Sequence, residues 1–553
     1  MFKRAAVVFT AMSCLTLGIV MSAGLTAASG ANSTLTLENN TGVTFTDNFN
    51  PLDSNSFATQ MSVRSLIYEP LFEFDSLKAG VSYPWLAKSY QWSNGGKTLT
   101  FTIRSGVKWS DGSQFTPADV AATFNLVSST PAANVWGLPA LSSPATVTGN
   151  TVVLNYAIPE YSNIVAIAGT QLMLPANFGT QYSPAATSAV TAPVGTGPYT
   201  LSNYSSTLVS YKANPKYWGG TPAAAQINVP SYASNTDAAT ALASGQLDWA
   251  GNDIANVNKI FVNVNKATNH IYFAPGSTVT LEFNVTKWPF TNVAVRQAIS
   301  AGVNRTALSV KGETGYEAPA TSLSALILPS QAAYLGSQYA NDVKSTNQPK
   351  MVKSILTKAG FKKDKKGYYA LKGKEIKFSM EDPIAYSDYY ADIQLMSSEL
   401  KSEGINATVD GVQASQWYSD SANGTFDSIL HWGNGGTDPY TQFDNWLDYK
   451  NSAPIGKSAS ADYGRYHNAK VQSLLATLSG TDPSNTAAVK AATLPLEKIV
   501  ATTLPVVPML YGADWDEYST ANFTGFVTPG NAYMNPSPSD PQLPYILMQL
   551  KAA

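Results

Sequence analysis

The chain has 553 residues, 35 Lys and Arg against 37 Asp and Glu, and only 13% charged residues. That length exceeds what one core can organise, so two or more domains are expected, and a net charge of −2 gives no overall basic excess to suggest nucleic-acid binding. The single cysteine, Cys14, excludes a disulfide framework and cysteine metal ligation.

The chain opens as a secretory signal: Lys3 and Arg4, an apolar stretch over residues 5–25, then small residues over 26–31 that supply an Ala-x-Ala-like cleavage region. Two alternatives stay open. The apolar stretch approaches membrane-spanning length and could remain as an anchor, and Cys14 could carry a lipid. Against lipidation, Ala11 stands where such signals carry leucine, and residues 15–28 continue apolar where a polar tether should begin. Cleavage after residue 31 removes Lys3 and Arg4 alone and leaves 33 basic against 37 acidic residues, a net of −4. Few charges with abundant Asn, Ser, Thr and Tyr suit an exported protein working in acid, and a near-neutral surface suits a neutral ligand. No second long apolar run follows.

Residues 99–103 and 151–156 alternate as strands. Trp109 to Gly112 reads as a strand end and a turn. Thr116 is a good N-cap, Pro117 fits the first helical position, and Asp119 complements the positive end of the dipole, so a helix starts there and buries Val120, Phe124 and Val127. Gly195 and Gly197 are followed at once by Pro198, without a third spaced glycine or a Gly-Lys-Ser/Thr ending, which rules out a phosphate loop. Between Lys350 and Lys377 lies a Lys-rich stretch, interrupted by Asp364 and Glu375, that reads as a solvated surface. Helical patterns cover 392–402 and 471–478, and the whole is mixed α/β without a repeat.

Four phrases stand in order: KWSDGSQFTPADV from Lys108, VGTGPYTL from Val194, NPKYWGG from Asn214 and NVAVRQAISAGVNR from Asn292. Together they resemble the family-5 extracellular solute-binding proteins, ABC-transporter receptors for oligopeptides, dipeptides, nickel complexes or oligosaccharides, over about residues 50–550. The resemblance implies a two-lobed periplasmic-binding-protein-like α/β fold with an extra domain inserted in the first lobe. Lobe I is then expected at 32–66, 193–280 and 507–553, the inserted domain at 67–192, and lobe II at 281–506. Residues 280–284 and 504–508 are the expected crossings. Tyr68 and Glu69 would be structural at the junction, and Trp85, Trp109 and Trp218 would pack. The implied partners are a small oligomeric ligand and a membrane permease, with a monomeric receptor at the cell surface or in the periplasm.

Enzyme chemistry finds no foothold. His270, His431 and His467 are far apart, so no helical metal pair forms and no cofactor is expected. Ser105 to Lys108 matches Ser-x-x-Lys but sits in a strand-turn and lacks a Lys-Thr-Gly partner, and no Gly-x-Ser-x-Gly elbow occurs. A secreted hydrolase is the alternative from another class, and it would need a nucleophile-base or acid pair that the sequence does not display.

The most informative site stretch runs from Phe426 to Asp448. A strand at 427–431 leads into Gly433-Asn434-Gly435-Gly436, and Asp438-Pro439 opens a helix. Trp432, Asn434, Gly435, Gly436, Asp438, Tyr440 and, from a later strand end, Trp515 are the expected ligand contacts. In peptide-binding relatives this loop carries an acid that pairs with the peptide amine; here Gly435 stands in its place, while Asp438 looks engaged as an N-cap. The Gly-Gly-x-x-Pro-Tyr spacing resembles the oligosaccharide-binding branch. An oligosaccharide is therefore the favoured ligand, with an oligopeptide or dipeptide as the alternative.

Overall fold

The computed structural model describes residues 33–433 and 435–553. The expected signal region with Cys14 lies outside the described residues, as does Asn434. The chain forms two lobes of mixed helix and strand.

In the first lobe, strands Tyr199–Ser205, Leu208–Ala213 and Gln226–Pro230 run antiparallel, with Thr34–Thr36 added parallel at the edge. Ile227 and Val229 alternate inward, as period-2 patterning requires. A second sheet sets Glu517–Ser519 between Trp249–Ala250 and Asn269–Ile271. Within residues 87–156 a four-stranded antiparallel sheet, built from Ala87–Ser93, Thr98–Ile103, Thr151–Tyr156 and Leu141–Thr148, is backed by the helix Pro117–Ser129. That helix starts where the sequence places it: the Thr116 amide donates to Asp119 Oδ2 at 2.7 Å in a capping box, and Val120, Phe124 and Val127 are buried. This sheet shares one continuous core with the first lobe.

The second lobe is built on a six-stranded mixed sheet in the order Ala318–Pro319, Val506–Asp514, Ala274–Phe283, Ser428–Trp432, Lys377–Pro383, Asn406–Val412. Helices Val293–Gly302, Pro349–Lys358 and Ser387–Glu403 cover it with Val295, Ile299, Val352, Leu356, Ile393 and Met396. A separate apolar cluster joins Pro439–Leu447, Ala469–Ser479 and Thr486–Thr503. The two phrases expected at the crossings lie side by side in the six-stranded sheet, with Leu281 opposite Val507 and Glu282 opposite Val506. The passage between sheets comes at the other end of each strand. There Tyr272 donates its amide to Asp516 O at 2.9 Å, and Ala274 pairs with Asp514.

The sequence phrases prove to be joints. Ser110 donates its amide to Gly195 O at 2.9 Å, Asn214 Nδ2 donates to Gly197 O at 3.0 Å, and Tyr217 Oη and Trp218 Nε1 donate to Glu69 at 2.8 and 3.1 Å. Gly195 and Gly197 lie so close to residues 66 and 67 that a Cβ at either would fall on a backbone carbonyl oxygen. Trp85 and Trp109 are buried, and Trp218 packs edge-on against Trp85. In the fourth phrase the buried Arg296 and Arg305 clasp the chain before and within strand Val506–Asp514, donating to Leu504 O and Pro508 O, each at 2.8 Å.

Because the obstacle at Gly197 is backbone, Gly197→Ala should destabilise the protein by about 1–3 kcal/mol, the usual cost of overpacking. Denaturant unfolding checks this; an unchanged midpoint would show that the 66–67 segment yields freely.

Candidate functional site

A cavity of about 490 Å³ opens between the lobes. On one side stand residues 38–41, 251–253 and 535–541; on the other stand 386–389, Tyr418, Trp432, Gly433 and Gly435; residues 276–277 and 513–515 form the floor on the two crossing strands.

Trp432 ends the strand Ser428–Trp432 and reaches the cavity wall. Its indole is held in a stack: Trp417 lies 5.5 Å away at 23°, and Tyr389 lies 6.2 Å away at 30°. Trp417 is fully buried and fixes the ring's orientation from behind. Trp515 faces the cavity from the floor, set edge-on against Phe273 at 4.7 Å. Gly433 lies where a Cβ would meet the Trp446 ring, and its amide donates to Thr278 O at 2.9 Å. Gly435 is exposed on the wall, close to the Gly276 carbonyl.

Three other expected contacts lie away from the cavity. Gly436, at φ +111°, turns the chain aside, and its carbonyl accepts from Gln331 Nε2 at 2.9 Å. Asp438 caps the helix Pro439–Leu447, accepting the Tyr440 amide at 2.9 Å, with Ser162 as a further partner. Tyr440 faces Asp444 and Asp448, and burial first, then their charges, raise its phenol. The structure thus brings Trp432, Gly435 and Trp515 together and separates Gly436, Asp438 and Tyr440 from them.

Sequence reasoning missed most of the wall. Asn39, Asn40, Asn235, Asn252, Asn535 and Gln60 supply amides, while Tyr386, Tyr389 and Tyr418 supply further rings. Only the Asn-Pro-Ser-Pro-Ser-Asp loop at 535–540 carried a visible signal, a cluster of small polar residues fixed by prolines. Five carboxyls also line the cavity, Glu38, Asp253, Asp388, Asp514 and Asp540, with no Lys, Arg or His among the described lining residues. Asn535 Nδ2 lies between two of them, 2.9 Å from Asp514 Oδ2 and 2.8 Å from Asp540 Oδ2. Glu38 accepts from Asn252 Nδ2 at 2.9 Å through one oxygen, while the other is buried without a partner.

Burial pushes these groups up: Asp540 to about 6 despite the opposing pull of Arg64, with Glu38, Asp253, Asp388 and Asp514 raised in the same direction for the same first cause. Behind the wall, Glu313, Glu317, Asp382 and Asp392 are buried together and rise through desolvation and mutual repulsion. Such carboxyls keep their protons to higher pH than free ones, and when protonated they donate as well as accept hydrogen bonds. His431 goes the other way, burial lowering it to about 4, and stacks on Trp417 as a neutral ring. Among the described residues no cluster of His, Cys, Asp and Glu is arranged to hold a metal ion.

Residues 82–454 match the model of the bacterial extracellular solute-binding proteins, family 5. The chain belongs to that family. Among its family-5 relatives, the nickel-binding periplasmic protein of Escherichia coli is 28% identical over 416 residues, 70% of this chain and 74% of the relative. The dipeptide-binding protein of the same organism is 30% identical over 356 residues, 57% of this chain and 62% of the relative. A mannohexaose-bound periplasmic oligopeptide-binding protein of an oligopeptide ABC transporter from Thermotoga maritima superposes with a TM-score of 0.84 at 25% identity, covering 94% of this chain and 99% of that one. No helix among the described residues is long and apolar enough to cross a membrane.

The raised carboxyls set a direction for stability. A group whose folded pKa exceeds its unfolded value binds more protons in the folded state, so stability is full below the unfolded value and falls as pH rises toward the folded one. With Asp438 and Asp540 near 6, Glu69 and Glu497 near 7, and Glu282 and Asp462 near 8, the melting temperature should fall as pH climbs from about 4 to about 8. Calorimetric scans across that range decide it; a flat or rising midpoint would mean that the carboxyls find counter-charges in solution.

Proposed function

We propose that this protein is the extracytoplasmic receptor of an ABC importer, closing its lobes on an oligosaccharide and passing it to a membrane permease without chemistry. The observation that carries the reading is the cavity wall. Two tryptophans and three tyrosines offer ring faces, amides and hydroxyls offer neutral hydrogen bonds, and burial raises the carboxyls toward their uncharged form. A sugar ring presents an apolar face edged by hydroxyls, which such a wall matches. The mannohexaose-bound relative supports the reading. Trp432, Gly435 and Trp515, all on the cavity wall or floor, are the proposed contacts.

A second reading, an oligopeptide, is favoured by one observation. Asp514 packs against Gly276, whose carbonyl lies beside Gly435, so an acid stands near the place where the sequence alone leaves a gap. A bound ammonium would lower the pKa of that acid and repay part of its desolvation.

A thermal-shift panel of neutral oligosaccharides against short peptides separates the two readings. Stabilisation by sugars, little changed by added salt, is expected, because no charge pair is available to screen. Stabilisation by peptides alone, lost when their amines are acetylated, would replace sugar with peptide. Trp432→Ala should weaken binding by roughly 1–3 kcal/mol in titration calorimetry while the fold stays intact; wild-type affinity would remove the ring from the site. Saturating ligand should also reduce the radius of gyration in small-angle scattering, and no compaction would argue against lobe closure.

A further inference from the structure

The helix Pro349–Lys358 and the ribbon Lys362–Lys363, Tyr369–Leu371 and Lys374–Glu375 pack on the second lobe through Val352, Leu356, Phe361 and Tyr369. None of residues 349–377 lines the cavity between the lobes. Ten of the chain's 35 basic residues and two of its 37 acids lie between Lys350 and Lys377, a net of +8 against −10 for the remainder. All ten lysines are exposed.

The two acids that interrupt this run in sequence do not neutralise it in space. Asp364 Oδ1 is turned back on the ribbon's own backbone, accepting the amides of Lys366 and Tyr368 at 2.8 and 3.0 Å. Glu375 Oε1 accepts from Asn406 Nδ2 at 2.6 Å. Among the described residues none of the ten lysines has a carboxylate within ion-pair distance. Two of them lie over rings instead, Lys363 over Tyr369 at 5.1 Å and Lys374 over Trp288 at 5.0 Å, contacts that brace the stem while the charge stays outside. Lys350, Lys353, Lys362 and Lys363 border one shallow hollow in which Glu403 is the one acid, and Met351 is exposed on the same helix.

Ten exposed lysines without ion-pair partners, outnumbering the acids beside them, are complementary to a surface of phosphates. We propose that this face docks the receptor on anionic lipid headgroups at the outer surface of the membrane, orienting the molecule beside its transporter. The choice of membrane as the source of phosphate rests on the receptor reading above; the patch itself does not.

Co-sedimentation with vesicles tests the proposal without any ligand, so a failed sugar panel would leave it readable. The wild type should sediment with vesicles of phosphatidylcholine mixed with phosphatidylglycerol, and not with phosphatidylcholine alone. Binding should fall about a hundredfold in the variant Lys350→Glu, Lys353→Glu, Lys362→Glu, Lys363→Glu, and should fade as salt shortens the screening length. A wild-type unfolding midpoint shows that the variant is folded. If it is not, Lys365→Glu, Lys366→Glu, Lys372→Glu, Lys374→Glu on the same ribbon takes its place. Equal sedimentation of wild type and variant, equal binding to neutral vesicles, or no binding to anionic vesicles would each overturn the proposal, the last in favour of an acidic protein partner.

Discussion

Two long strands, Ala274–Phe283 and Val506–Asp514, pair antiparallel along nearly their whole length, and the rest of the molecule is arranged about that ladder. At one end they form the middle of the six-stranded sheet. At the other end each continues as a strand of the three-stranded sheet in the first lobe, Asn269–Ile271 and Glu517–Ser519. The cavity floor is this same pair, since Gly276, Ser277 and residues 513–515 belong to it or adjoin it. Gly276 falls where the pairing register slips between Pro275 and Ser277, and its lack of a side chain leaves room for the Asp514 carboxyl. Arg296 and Arg305, from a different part of the chain, bind the carbonyls of residues 504 and 508 and fix the ladder's second strand against the helices.

A second constraint follows from what the chain buries. Among the described residues nineteen acidic side chains are buried against four arginines and no lysine, and the ion pair Lys287–Asp427, at 3.6 Å, joins two partly exposed groups. Burying ionised carboxylates on that scale without partners would cost more than a folded domain has to spare. Burial raises many of them, Glu38, Glu73, Asp382, Asp516 and Glu517 among them, toward the neutral form. In that form the proton supplies both the neutrality of the core and the donor capacity of the cavity wall.

Local signals proved legible and distant ones did not. The Thr116–Asp119 capping box, the alternation over Thr98–Ile103 and Thr151–Tyr156, and the cap at Asp438 depend on neighbours within a few residues, and each forms as the sequence implies. Trp432 and Trp515 reach the cavity because both end strands that lead to it. Tyr440 lies away from the cavity because bracketing a glycine loop says nothing of direction: Gly436, in a backbone conformation that favours glycine, carries the chain past the cavity toward Gln331. The remaining wall joins residues 39, 235, 252, 388 and 535, whose meeting depends on the ladder and leaves no mark within any one segment.

The buried carboxyls also change what the sequence-derived isoelectric point of about 6.0 means. That figure assigns each acid its free-solution affinity for protons, whereas Glu73, Asp382, Asp514, Asp516 and Glu517 are all held well above theirs. Those acids pull the focusing point of the folded molecule upward from that figure. Unfolding releases those protons and moves the band toward acid. The isoelectric point becomes a reporter of tertiary structure, readable on a gel with a denaturant gradient.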